Sequence, residues 1–135
     1  MDKIAIVIGA TGLVGRALVD QLADADHIEK VITLTRRSAK HSSLKVCNQV
    51  VEFDHLEDYA SSFSADFLFS CLGTTLQQAG SITAQRKVDL DYQFKAAQLA
   101  AINGVHHYLL VSTSAANDQS NNPYLKMKGE LEQRI

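Results

Sequence analysis

The stretch Lys3-Ile4-Ala5-Ile6-Val7-Ile8-Gly9-Ala10-Thr11-Gly12-Leu13-Val14-Gly15-Arg16 constrains the fold more than any other part of this chain. It begins as a short apolar run rich in β-branched residues, which reads as a strand buried on both faces. Three glycines follow at a spacing of three, and then Ala17, Leu18, Val19 and Leu22 suggest the buried face of a helix. A strand that turns through glycines into a helix can hold a dinucleotide pyrophosphate. The first glycine permits the tight turn, the second lets backbone N–H groups approach the phosphates, and the third lets helix and strand pack closely. The helix start adds orphan donors and a partial positive charge. Gly9, Thr11, Gly12, Leu13, Val14 and Gly15 are therefore candidate cofactor contacts. The bland alternative is an ordinary strand-to-helix junction.

Apolar strand-like runs recur at residues 3–8, 30–35, 49–53, 66–71 and 107–112, with helical periodicity between several of them. Repeated strand–helix–strand units call for a parallel sheet covered on both faces, a doubly wound Rossmann fold with ligand at the strands' carboxyl ends. With 135 residues, 46% apolar and 21% charged, the chain suits one globular domain with one core, a five-stranded portion of that fold. A net charge of −2 gives no case for nucleic acid or an anionic membrane as partner. No apolar run is long enough to span a bilayer, and no leader peptide is evident before the first strand. Two cysteines, Cys47 and Cys71, make neither a disulfide framework nor a metal cluster, so a cytoplasmic setting is expected.

The second strand ends in Arg36-Arg37, where an acid would bond the ribose 2′-hydroxyl of NAD. No Asp or Glu occurs between Val31 and Val51. A guanidinium there can pair a 2′-phosphate, so NADP(H) is favoured over NAD(H), with a solvated basic loop as the alternative. Arg16 either adds to this charge or is a surface helix residue. Asp54, after strand three, either accepts from an adenine amino group or caps the following short helix, with Glu57 three residues on. Strand four ends at Cys71-Leu72-Gly73, where glycine lets a ligand approach the backbone. These three are cofactor candidates, with Cys71 read as a small buried hydrophobe rather than a nucleophile. A long helix is expected from about Thr83 to Asn103, with Val88, Tyr92, Ala96, Leu99 and Ile102 as its buried stripe. His106 and His107 are adjacent on a strand and point to opposite faces, which argues against a shared metal site.

Strand five runs into Ser112-Thr113-Ser114, hydroxyls placed where a substrate would sit. The segment Asn117–Pro123 reads as a loop leading to the last helix. Tyr124 and Lys128 are four apart, so one helix face carries both. An ammonium beside a phenol stabilises the phenolate and lowers its pKa, which makes the tyrosine usable as an acid or base. Tyr124, Lys128, Ser114 and Thr113 are the catalytic candidates.

The run Gly9-Ala10-Thr11-Gly12-Leu13-Val14-Gly15, with Tyr124 and Lys128, resembles the short-chain dehydrogenase/reductase superfamily, at the glycine spacing of its extended and atypical members. Leu34-Thr35-Arg36-Arg37, Cys71-Leu72-Gly73-Thr74-Thr75, Val88-Asp89-Leu90-Asp91-Tyr92 and Tyr124-Leu125-Lys126-Met127-Lys128-Gly129-Glu130 look more narrowly like its atypical Tat-interacting oxidoreductase group. The resemblance implies NADP(H) binding, Tyr124 and Lys128 as the active pair, and Ser114 or Thr113 as the assisting hydroxyl. Asp89 stands where extended members often carry asparagine. Members continue well past the active-site helix, so the chain reads as C-terminally truncated, with an exposed sheet edge that invites a homodimer. Two functions follow. One is NADP(H)-dependent reduction or oxidation of an unidentified small molecule, with sugar-nucleotide epimerase or dehydratase chemistry as a variant. The other is a non-catalytic NADP(H)-binding regulator or scaffold. Little turnover is expected from these residues alone.

Overall fold

The computed structural model describes residues 3–73, 76–111 and 116–135. Five strands, β1 (Lys3–Ile8), β2 (Ile28–Thr35), β3 (Val46–Val50), β4 (Phe67–Ser70) and β5 (His107–Leu110), form one all-parallel sheet in the order β3-β2-β1-β4-β5. The chain first winds outward from β1 to β3, then returns across the sheet to β4 and winds the other way. The order therefore reverses between β1 and β4, which opens a crevice beyond their carboxyl ends.

Strand β1 is apolar throughout because both of its faces are covered. Ala5 and Val7 pack with Val31 against Val19 and Leu22 of α1 (Leu13–Asp24). Ile6 and Ile8 pack with Leu34 and Leu68 on the other face. There they meet Phe53, Leu56 and Phe63 of a run of 3₁₀ turns (Phe53–Phe63), and Ala96, Leu99 and Ala100 of a later helix. Each fully buried Val, Leu, Ile or Phe among them contributes about 1.5–3 kcal/mol.

Several element details differ from expectation. The third strand was expected at 49–53 and lies at Val46–Val50. Val51 and Phe53 turn into the core instead of extending the edge of the sheet, which is why the most apolar stretch is not the paired one. On α1, Val19 and Leu22 are buried as expected, but Gly15 and Ala23 complete that face, while Ala17 is exposed and Leu18 half-buried. After the short helix α2 (Leu76–Ala79), the long helix does run from Ile82 to Ile102, as α3 (Ile82–Arg86), a π turn (Lys87–Tyr92) and α4 (Gln93–Ile102). Bonds of the i→i+5 type widen that turn, and beyond it Ala96 and Leu99 are buried as expected. Ile102, the last residue of α4, is 80% exposed, whereas Leu90 and Gln93 are fully buried. Asn103-Gly104 ends the helix as predicted: Gly104 takes φ +76°, and its N–H donates to the Ala101 carbonyl at 3.1 Å.

Candidate cofactor and active site

The glycine turn is built by contact. Gly9 has φ +76°, and a Cβ there would overlap the backbone of Cys71 and Leu72 at the end of β4. At Gly15 a Cβ would run into the Gly9 carbonyl oxygen, so this glycine lets α1 sit directly on the turn. Gly12 differs: its nearest obstacle is the Gly9 oxygen at 3.6 Å. It is the N-cap of α1 and supplies no side-chain cap. The first-turn N–H groups of α1 are thereby left for an anion, which is the fit a dinucleotide pyrophosphate requires. Leu13 and Val14, in that first turn, are exposed. The Arg16 guanidinium donates to the Thr11 carbonyl at 3.2 Å, bracing the turn.

Over the crevice lies a cavity of about 850 Å³. Gly9, Thr11 and Gly12 line one side, Arg36, Arg37 and Ser38 another, and Cys71, Leu72 and Gly73 the floor. Neither arginine guanidinium hydrogen-bonds another described residue, and both are exposed. Burial pushes the Cys71 thiol up, which suits a wall residue and not a nucleophile.

The far wall comes from the π turn, which brings Lys87, Val88 and Tyr92 to the cavity together. Asp54 was expected to cap a helix or to meet adenine. The N-cap of its segment is Glu52, without a side-chain bond, and Asp54 stands inside the first turn. Its carboxylate accepts from the Tyr92 hydroxyl at 2.7 Å and pairs with Lys87 at 2.8 Å. The Lys87 ammonium and then the Tyr92 hydrogen bond hold Asp54 below the usual carboxylate range. Tyr92 is pushed up to about 12 by burial and by donating to Asp54. Sequence alone did not show this trio, because 38 residues separate Asp54 from Tyr92.

Tyr124 and Lys128 share a face of α5 (Pro123–Arg134), whose N-cap Asn122 accepts from the N–H groups of Tyr124 and Leu125 at 3.0 and 3.2 Å. Lys128 is almost wholly buried, and its ammonium meets the equally buried Asp89 carboxylate at 3.1 Å. The same ammonium lies 5.8 Å from the centre of the Tyr124 ring. Gly73, on the cavity floor, would place a Cβ 3.2 Å from the Asp89 oxygen, so the ion pair adjoins the cavity. Lys128 was expected to lower the Tyr124 pKa. Instead the phenol is raised, by burial first and then by the Asp89 carboxylate, because Asp89 balances the lysine's charge. Thr113 and Ser114 lie outside the described residues. His106 and His107 are exposed on β5 and its approach, His107 stacking on Phe67 at 5.4 Å. Among the described residues no group of three His, Cys, Asp or Glu side chains could hold a metal.

Residues 5–131 match the family model described as the NAD dependent epimerase/dehydratase family. The chain belongs to that family. This family member is 37% identical to the mitochondrial protein FMP52 of Candida glabrata over 134 residues, 97% of this chain and 56% of that protein. It is 35% identical to protein HTATIP2 of Rattus norvegicus, over 99% of this chain and 57% of that protein. It thus spans a little over half the length of these relatives. Among solved structures, MoeE5 in complex with UDP-glucose and NAD superposes on 96% of this chain, 47% of its own length, with a TM-score of 0.79 at 14% identity. That likeness is one of fold. The resemblance to atypical short-chain dehydrogenases/reductases and the NAD(P)-binding Rossmann architecture therefore hold. The cytoplasmic setting does not: FMP52 is named mitochondrial in Candida glabrata and in Saccharomyces cerevisiae alike. Free cysteines report a reducing environment, which does not identify the compartment that supplies it.

Proposed function

We propose that this family member binds NADP(H) in preference to NAD(H) and takes part in oxidoreduction of a carbonyl or alcohol. One observation carries the cofactor reading. The uncapped start of α1 and the acid-free end of β2, with Arg36 and Arg37, line the same cavity. The first suits a pyrophosphate and the second a 2′-phosphate. NADP(H), when bound, supplies a transferable hydride; the chain's residues bind, orient and handle the proton. Tyr124 is the proton donor to the substrate oxygen; its phenol is protonated at neutral pH like any tyrosine, and burial and the Asp89 carboxylate make it a weaker acid, a cost that the substrate's approach must offset. Lys128 orients that phenol from beneath the ring, with Thr113 or Ser114 as the assisting hydroxyl.

A scaffold role without turnover is favoured by a different observation, the commitment of Lys128 to Asp89 at 3.1 Å. A lysine so neutralised gives little help to a phenolate.

Nicotinamide fluorescence on titration with NADPH and NADH tests the cofactor reading. Arg36→Ala is expected to weaken NADPH about tenfold or more, the scale of a charge-assisted hydrogen bond, and to leave NADH nearly unchanged. Equal affinities for both cofactors, unaltered by the substitution, would sink it. For Tyr124, the ultraviolet difference between the wild-type chain and Tyr124→Phe is expected to show a phenolate appearing only at a higher pH than in a solvent-exposed tyrosine, because burial and Asp89 raise it. Phenolate absorbance near neutrality would count against the proton-donor role.

A further inference from the structure

The connection from β2 to β3, residues 36–45, contains no helix. The sheet face beneath it is correspondingly polar. Thr33 and Thr35 point to the same side of β2 and are buried, and Asn48 faces Thr33 across the strand pair. The Asn48 amide nitrogen donates to the Thr33 hydroxyl at 2.9 Å and the Thr33 carbonyl at 3.3 Å. It also donates to the Thr35 hydroxyl at 3.0 Å. The Thr35 hydroxyl spends its own proton on the Arg37 carbonyl at 2.5 Å, so its oxygen is oriented to accept from Asn48. The Asn48 carbonyl oxygen in turn accepts from the Ala39 N–H at 3.0 Å. One side chain thus bonds both residues that flank the Arg36-Arg37-Ser38 loop, Thr35 and Ala39, and the Thr35 hydroxyl reaches on to the Arg37 carbonyl in its middle.

We propose that Asn48 is a positioning residue that sets the preference for a 2′-phosphorylated dinucleotide by pre-organising the Arg36-Arg37-Ser38 loop. The inference rests on the NADP(H) reading above. The guanidinium groups make no hydrogen bond of their own to other described residues, so their placement depends on the backbone that carries them. A loop already held in its binding geometry loses less freedom when an anion arrives. Asparagine is a poor strand former, and its place in the middle of β3 is explained by this network and not by strand propensity. The ribose hydroxyl of an unphosphorylated cofactor gains less from the arginines, so the effect of Asn48 is selective.

The test measures affinity of the full chain and its variants for NADPH, NADH, 2′,5′-ADP and 5′-AMP. Asn48→Ala is expected to weaken NADPH and 2′,5′-ADP about tenfold while NADH and 5′-AMP change by less than about twofold. Thr35→Val keeps a β-branched strand residue but loses the hydroxyl link to Arg37. It is expected to show the same selectivity and carries the test should Asn48→Ala not fold. In an Arg36→Ala, Arg37→Ala background the Asn48→Ala effect is expected to vanish, because the groups being positioned are gone. Equal weakening of all four ligands, or an Asn48→Ala effect that persists without the arginines, would overturn the proposal. Removal of the two arginines is the separate check on the underlying reading. If it leaves NADPH affinity unchanged, the NADP(H) reading fails and this inference fails with it. If it weakens NADPH while Asn48→Ala and Thr35→Val leave the NADPH-to-NADH ratio intact, only the role of Asn48 is lost.

Discussion

Gly15→Ala is expected to weaken NADPH binding about a hundredfold and to lower the melting temperature of the chain. The added methyl would enter the space of the Gly9 carbonyl oxygen, inside the turn itself. Neither group can yield alone: Gly9 is held by its left-handed conformation against the backbone of Cys71 and Leu72, and α1 is held by Val19 and Leu22 in the core. The helix must lift away, which costs about 1–3 kcal/mol of packing and misdirects the first-turn N–H groups. Gly12→Ala separates the two effects. Its methyl finds only the Gly9 oxygen at 3.6 Å, so the fold tolerates it. Fluorescence titration beside thermal unfolding is expected to show Gly12→Ala with near-native melting and weakened NADPH binding. Native binding by Gly15→Ala would show that the turn is a structural junction.

Lys128→Met carries the second large effect. It leaves the Asp89 carboxylate buried without its ammonium, at an expected cost of about 3–5 kcal/mol in urea denaturation. The cost arises mainly from losing the ammonium beside a buried charge, so adding Asp89→Asn to Lys128→Met is expected to recover most of it. The pair joins the π turn to α5, elements far apart in sequence, and so the single substitution is also expected to loosen α5 and move Tyr124. If Lys128→Met unfolds at the wild-type urea concentration, the ion pair does not hold α5 in place.

What the sequence displayed of this site was local. The order of strand, glycines and helix, the arginines without a nearby acid, and the tyrosine and lysine one helical turn apart each depend on neighbours along the chain. Four of the five strands and the parallel, doubly wound sheet are legible for the same reason, through repeated apolar runs; the third strand is displaced because its most apolar residues, Val51 and Phe53, go into the core. The missed parts depend on distant contacts. Asp89 meets Lys128 and Asp54 meets Tyr92 only after the sheet has assembled. The π turn has no signature in the apolar spacing, and the predicted stripe holds at Ala96 and Leu99 but not at Ile102, which ends the helix. Asn48 left a trace, a polar residue of low strand propensity in the middle of a strand, but its partners Thr33 and Thr35 identify its role. The spacing of Tyr124 and Lys128 does not reveal Asp89, and with that carboxylate beside the lysine the expected lowering of the Tyr124 pKa does not hold.

The most direct test of the account is the fluorescence of NADPH titrated with the wild-type chain, followed by displacement with 2′,5′-ADP. The account predicts a saturable rise in emission at one site, reversed by 2′,5′-ADP and far less by 5′-AMP. A folded chain that leaves NADPH emission unchanged, or binds it no more tightly than NADH, would contradict the central claim that the glycine turn and the β2 arginines form one NADP(H) site.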